Sequence, residues 1–232
     1  MKLTLLQGDV FEQLPKIPSS SIDAVITDPP YNVLGATQDW DDKGAPDEFM
    51  KWTKIWMELC FDKAKDDSCL LMFWGQKYMK ELFNLETRWS FKRMLIWHHP
   101  NLAKPTNRMY LWTYDPIFYF IKGKPHFRGG FFAGENTDVF RYAKPQSQYN
   151  GENKRVHPAS KPIELMKKLV RANTEKDAIV LDCFMGGGAT GIAALQEGRQ
   201  FIGIELEQKY FDIAEMRCRK WEGQEKLESG II

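Results

Sequence analysis

What this chain lacks narrows its class before any motif is read. Its four cysteines (Cys60, Cys69, Cys183 and Cys218) are scattered, with no C-x-x-C pair, which argues against both a zinc site and a disulfide framework. No apolar run approaches the ~18 residues that a membrane span needs, and the stretch Met1–Asp9 is too poor in apolar residues for a signal peptide. The expectation is a cytoplasmic, reduced protein. Net charge is nearly absent as well, at +1, but it is unevenly spread. Between Arg88 and Arg155 there are 12 Lys or Arg against 4 acids, a net of +8, which leaves 20 against 27 elsewhere. A basic middle inside an acidic frame is the footprint of a surface that meets a polyanion, although charge runs are also commonly just solvated faces.

At 232 residues the chain is long enough for one substantial core. Short β-branched runs alternate with helical patterns, predicting an α/β fold with a doubly wound, mostly parallel sheet. Strands are expected at Leu3–Leu6, Ile22–Thr27, Ser68–Trp74, Phe91–His98 (an inner strand), Ile179–Asp182 and Gln200–Ile204. Thr113–Ile121 also reads as a strand, and Pro116 inside it predicts a sheet edge or a bulge. Helices are expected from Val10 to Pro15, from Pro46, over Gln76–Leu85, over Lys161–Asn173 and from Ala189. In the helix from Pro46, the positions Phe49, Trp52, Trp56, Leu59 and Cys60 recur at helical spacing and read as core. Asn32–Ala45 is a polar loop, read as a flap over a pocket. Residues 122–160 carry no convincing periodicity and form a short basic insertion within a single domain, 1–232. Basic residues interleaved with aromatics there suit phosphates and bases, while a small hairpin with its own aromatic core explains the same composition equally well.

Two stretches carry chemistry. The first is Asp28-Pro29-Pro30-Tyr31, at the end of the apolar run Ile22–Thr27. Prolines lack an N–H and fix φ, so this loop is stiff and offers acceptors but few donors. A carboxylate beside those carbonyls, with an aromatic face next to it, complements a planar group bearing an NH2, whose two hydrogens both need acceptors. An ordinary Asp-Pro turn with a solvated tyrosine fits the four residues as well. The second stretch runs Ile179-Val180-Leu181-Asp182-Cys183-Phe184-Met185-Gly186-Gly187-Gly188-Ala189-Thr190-Gly191. Gly186, Gly188 and Gly191 match G-x-G-x-x-G between a strand and a helix, and Glu205 follows about 20 residues on, where a ribose-binding carboxylate belongs. The context predicts a nucleoside-cofactor site. Only one further strand and helix follow, so the remaining strands must come from the amino-terminal part. The two loops then share one crevice, an arrangement suited to group transfer onto an amine rather than to hydride transfer.

In this order the sequence resembles the amino-methylating DNA methyltransferases that use S-adenosylmethionine, with the motif order of their β subgroup. Gly8-Asp9-Val10-Phe11 through Asp28-Pro29-Pro30-Tyr31-Asn32 resembles the family's opening block, and Ile96-Trp97-His98-His99-Pro100-Asn101 its next strand and loop. His157-Pro158-Ala159-Ser160-Lys161-Pro162 resembles the segment before the cofactor loop. Asp182-Cys183-Phe184-Met185-Gly186-Gly187-Gly188 is similar to the family's D-P-F-x-G-S-G, with Cys183 and Gly187 in place of its proline and serine.

The resemblance implies a site-specific DNA methyltransferase with S-adenosylmethionine as cofactor and DNA as partner. A homodimer, a partner subunit or a cognate restriction enzyme are further candidate partners. It implies that Asp28, Pro29, Pro30 and Tyr31 are catalytic, with Tyr31 stacking on a flipped base. Asp9, Ser160, Lys161, Asp182, Phe184, Gly186, Gly188 and Glu205 would bind the cofactor: Asp9 at its adenine, Ser160 and Lys161 near its carboxylate, Asp182 near its amino group and Glu205 at its ribose. Candidate DNA contacts in and beside the insertion are Arg108, Lys122, Lys124, Arg128, Arg141 and Lys144. No metal is implied. Aspartate at the head of the tetrapeptide is the adenine-N6 type; cytosine-N4 is the alternative, and a catalytically idle nucleic-acid-binding subunit is a rival from another class. A nicotinamide-dependent oxidoreductase is a further rival, resting on the glycine fingerprint alone.

Overall fold

The computed structural model describes residues 2–33, 41–100, 110, 112–127, 137–145 and 160–228, with side chains as far as residue 222. In chain order these form β1 (Leu3–Gln7), α1 (Val10–Gln13), β2 (Ile22–Thr27), α2 (Pro46–Lys63), β3 (Ala64–Phe73), α3 (Met79–Phe83), β4 (Ser90–His98) and β5 (Tyr114–Lys122). They continue with β6 (Val139–Arg141), α4 (Ile163–Asn173), β7 (Ile179–Asp182), α5 (Ala189–Gln196), β8 (Gln200–Glu205) and α6 (Gln208–Glu228). Among the described residues no helix is long and apolar enough to cross a membrane.

The strands make one eight-stranded sheet in the order β1-β8-β7-β2-β3-β5-β4-β6. Parallel pairing runs from β1 through β8, β7 and β2 to β3, so the first and last thirds of the chain are assembled side by side. From β7 the chain turns outward to β8, and from β2 it turns the other way to β3. The β7–β2 boundary is therefore a topological switch point, where open α/β sheets bind ligands beyond the carboxyl ends of the strands.

Alternation along the strands builds two cores, one on each face. Ala24, Ile26, Cys69, Leu71 and Val180 face one way and pack with Leu165, Met166, Leu169 and Val170 of α4 and with the small residues of α5. Val25, Leu70, Met72, Leu181 and Ile204 face the other way, onto Phe49, Trp56, Met57 and Cys60 of α2. The helix from Pro46 is thus largely core, as its spacing predicts. Proline opens it, and Asp47 and Glu48 complement its dipole in the first turn.

Two strand expectations need correction. Pro116 lies neither at an edge nor at a bulge, because β5 runs between β3 and β4. Opposite it, Ile96 turns its N–H away to Asp138 O (2.7 Å), so the Ile96–Pro116 pair asks no hydrogen bond of the proline. On the other side Trp74 N donates to Pro116 O (3.0 Å) just past the end of β3, where a missing N–H costs at most one terminal bond. Conversely β4 is an inner strand only over Ile96–His98, where the three residues of β6 flank it; Ser90–Arg93 are exposed. Within the insertion, Phe140 joins the main core and Phe127 is exposed, while Phe131 and Phe132 lie outside the described residues.

Candidate active site

β2 delivers Asp28 at the switch point, and the two prolines then force the chain out of the sheet. Asp28 Oδ1 accepts a hydrogen bond from the Tyr31 hydroxyl (2.5 Å), and Oδ2 accepts from Lys161 Nζ. Burial, and then the charge of Asp28, push the Tyr31 phenol well above its ordinary range, so it stays protonated and acts as a donor. The loop's next three N–H groups converge on one side chain. Tyr31 N (2.7 Å) and Asn32 N (3.0 Å) donate to Asp41 Oδ1, and Val33 N (2.7 Å) donates to Oδ2. This bend requires a left-handed residue, and Asn32 takes that place at φ +54°. Its amide is tied down too, donating to Gly44 O (3.0 Å) and accepting from Lys43 N (3.0 Å). A β-carbon at Gly75 would come within 3.1 Å of Tyr31 Cβ, so a glycine at the end of the neighbouring strand is what lets the tyrosine ring seat.

The glycine loop leaves β7 beside it. Asp182, only 2% exposed, accepts from Thr27 Oγ1 (2.7 Å), Thr190 Oγ1 (2.6 Å) and Phe184 N (3.1 Å), and burial raises its pKa to about 6. Glu205, at the end of β8, accepts from Gly186 N (2.9 Å) and Glu207 N (2.9 Å), and burial likewise holds its carboxyl above the usual range. The two departures from the expected pattern each have defined neighbours, although nothing in the structure explains glycine rather than serine at position 187. Cys183 turns into the core, 3.2 Å from Cys60 Sγ, and burial keeps its thiol protonated. Gly187 presents its carbonyl to the guanidinium of Arg217 on α6.

Both loops open into one cavity of about 500 Å³. Asp28, Pro29, Pro30, Tyr31, Lys161, Trp97, Trp112, Asp115 and Lys144 line one part of it. Asp9, Trp52, Phe184, Gly186, Gly187, Glu205 and Leu206 line another, and Ser160 and Asp182 also face the space. Asp9 combines this position with a structural duty, capping α1 through Phe11 N (2.8 Å). Trp52, expected as core, is a half-buried wall of the cavity packed against Phe184 (5.5 Å between ring centroids). At the target side Lys144 Nζ lies 3.5 Å from Asp115 Oδ2 and over the Trp97 and Trp112 rings. Behind Asp115, His99 is buried, which holds its pKa below the ordinary value.

Several of the expected residues stand in surroundings that their expected roles did not include. Lys161, expected at the cofactor's carboxylate, has its ammonium on Asp28 instead, because the segment before α4 approaches the β2 loop across the sheet end. Gly188 does not line the cavity; it takes φ +78° at the head of α5, where a β-carbon would press Ala214 Cβ at 3.1 Å, so its smallness serves helix packing. Gly191 is small for the same kind of reason, against Phe201. Lys122 pairs in register with Ser68, at the end of the sheet away from the cavity, and donates to Phe61 O and Ala64 O; Lys124 lies beside it against Asp67. Neither reaches the site. Arg141 stands exposed at the near end, paired with His98. Arg108 and Arg128, and half of the expected flap (34–40), lie outside the described residues. Sequence reading passed over Asp41, Gly75 and Asp115. Only for Asp41 was there a signal: three consecutive N–H groups after a Pro-Pro pair must find acceptors, and the following loop is rich in aspartate.

Comparison with known proteins agrees with this geometry. DNA adenine methyltransferase YhdJ of Escherichia coli (strain K12) is 26% identical over 238 residues, covering 89% of this chain and 79% of that protein. Type II methyltransferase M1.MboII of Moraxella bovis is 25% identical, over 90% of this chain and 93% of its own length. Among solved structures, that of the M1.HpyAVI–SAM complex superposes with a TM-score of 0.73 at 26% identity, covering 93% of this chain and 98% of that one. The cytosine-N4-specific PvuII DNA methyltransferase shares the fold, with a TM-score of 0.79 at 21% identity over 96% of this chain and 91% of that one. Since the DNA methylase family matches residues 22–216, a span that holds both the Asp-Pro-Pro-Tyr loop and the glycine loop, the chain belongs to that family.

Proposed function

We propose that this chain methylates the exocyclic N6 amine of adenine in DNA, using S-adenosylmethionine. The observation that carries this reading is the single cavity into which the Asp-Pro-Pro-Tyr loop, its donors already taken by Asp41 and Asp28, and a glycine loop both open. The cofactor end suits a nucleoside with a charged tail. Gly186 and Gly187 offer bare backbone, Phe184 and Trp52 a flat apolar wall, Glu205 a carboxylate for hydroxyl donors, and Asp9 and Ser160 polar groups along the rim. S-adenosylmethionine bound there supplies an electrophilic methyl group.

The protein's task at the other end is to make a poor nucleophile attack. The nitrogen pair of a base amine is delocalised into the ring. Asp28 and the carbonyl of Pro29 accept its two hydrogens, draw the nitrogen toward tetrahedral geometry and so localise the pair. Acceptors fixed in advance where positive charge develops are worth several kcal/mol. Tyr31 and Trp112 offer faces for the base, which must leave the duplex at a cost of a few kcal/mol. Arg141 and Lys144, at the same end of the sheet, would meet the backbone phosphates, and the insertion 122–160 would carry target recognition within the single domain 1–232. That insertion is short, which fits a short target, relaxed specificity, a dimer that shares recognition or help from a partner subunit.

Adenine is favoured over cytosine by the aspartate at position 28 and by the adenine specificity in the name of the Escherichia coli relative. The test is to incubate the protein with labelled S-adenosylmethionine and unmethylated DNA and then analyse the nucleosides. N6-methyladenine is the expected product. N4-methylcytosine would transfer the reading to the other amine, and unlabelled DNA would overturn it.

A further inference from the structure

We propose that Lys161 is a positioning residue for methyl transfer, acting through Asp28 rather than on the cofactor; this rests on the function proposed above. Its side chain is only 8% exposed, and its ammonium is paired with Asp28 Oδ2. It crosses the faces of the core residue Phe73 (4.9 Å) and of Tyr31 (5.8 Å) and Trp97 (5.9 Å), two rings on the target side of the cavity. The ammonium is delivered from a rigid base. Lys161 precedes Pro162, which restricts its backbone to extended conformations, and Pro162 heads α4, anchored by buried Leu165, Met166, Leu169 and Val170.

The consequence lies in how a carboxylate is aimed. An aspartate held through one oxygen can still swing about its Cβ–Cγ bond, whereas donors on both oxygens fix its plane. Here Tyr31 takes Oδ1 and Lys161 takes Oδ2. A carboxylate has about four lone-pair sites, so each oxygen keeps one for a hydrogen of the target amine. The pairing also places a cation among Asp28, Asp115 and Asp182, carboxylates close enough for Asp28 to disfavour ionisation of Asp182 and for Asp28 and Asp115 to act on the Tyr31 hydroxyl. One effect opposes this role: the ammonium subtracts from the negative field that Asp28 presents to a nitrogen gaining positive charge. If the field outweighed the aim, removing Lys161 would speed the reaction.

The experiment compares wild type, Lys161→Met and Lys161→Arg for kcat, KM for DNA and the Kd of S-adenosylmethionine. In parallel, unfolding midpoints are measured for Lys161→Met, Asp28→Asn and the double variant. Lys161→Met should lower kcat about 100-fold while changing cofactor Kd less than about threefold, and Lys161→Arg should recover part of the loss. The midpoint shift of the double variant should be smaller than the two single shifts together, because each single variant strands the other's charge or acceptor. A cofactor Kd that weakens with kcat intact, a kcat equal to or above wild type, or strictly additive midpoint shifts would overturn the proposal. If wild type transfers no methyl at all, the function itself fails and takes this proposal with it, while the midpoint cycle still reports whether the pair exists.

Discussion

The two loops that meet in the cavity are held in opposite ways. The glycine loop is anchored mainly by partners along its own βαβ unit: Asp182 takes Phe184 N and Thr190 Oγ1, with Thr27 Oγ1 of β2 as its one distant donor, and Glu205 on the next strand takes Gly186 N. The Asp-Pro-Pro-Tyr loop is stiff by composition but is aimed by distant residues: Asp41 on its three N–H groups, Lys161 on its carboxylate and Gly75 under its ring. One loop is a local motif. The other becomes a site only when three remote segments arrive. The contrast teaches that cofactor binding and target activation should fail separately.

The sharpest break should come from Asp28→Ala. We expect methylation to fall by about three orders of magnitude or more, with cofactor affinity, measured by calorimetry, within a few-fold of wild type; a variant that kept its activity would erase the distinction between the two ends. Asp41→Ala strips an acceptor from three backbone donors of the Asp-Pro-Pro-Tyr loop. At about 1–3 kcal/mol for each buried donor left unsatisfied, kcat should drop some 10- to 100-fold with cofactor Kd little changed. Equal damage to both parameters would show that the loops are coupled. Glu205→Gln probes the opposite end: cofactor Kd should rise about tenfold, while kcat at saturating cofactor stays near wild type.

An effect on stability rather than on activity sharpens the comparison through pH. Asp182 has a folded pKa of about 6, raised by burial, against about 3.9 unfolded. The folded state therefore binds its proton more tightly. The stability this gives is fully present below pH ~4 and is lost as pH rises through 6, by up to about 3 kcal/mol. Asp182→Asn, which keeps an acceptor for Phe184 N, should flatten that slope in urea titrations between pH 4 and 7. An unchanged slope would place the titration elsewhere.

How much of this was legible beforehand follows the same division. The strand–glycine–helix–strand–acid run could be read because its spacings are set by one turn and one helix, and the structure places Gly186 and Glu205 together accordingly. Gly188 and Gly191 were legible as glycines but not by purpose, since the neighbours they admit, Ala214 and Phe201, lie on α6 and β8. Lys122 and Lys124 looked like Arg141 and Lys144 in a basic stretch. Only the antiparallel run of β5 reveals that the first two point to the far end of the sheet.

By itself, then, the sequence determined the alternating elements, the order of the two loops and the kind of chemistry each can perform, because periodicity, proline stiffness and glycine freedom act over a few residues. Tertiary structure alone decided which side chains complete the target end. Asp28 and Lys161 lie 133 positions apart, and no local rule links them; Tyr31 and Asp41 lie 10 apart across a loop rich in aspartate, and only the folded loop decides which aspartate takes the three N–H groups. The pairing of β2 with β7 and the packing of α4 bring those groups to one point, where a carboxylate can be held by two donors at once.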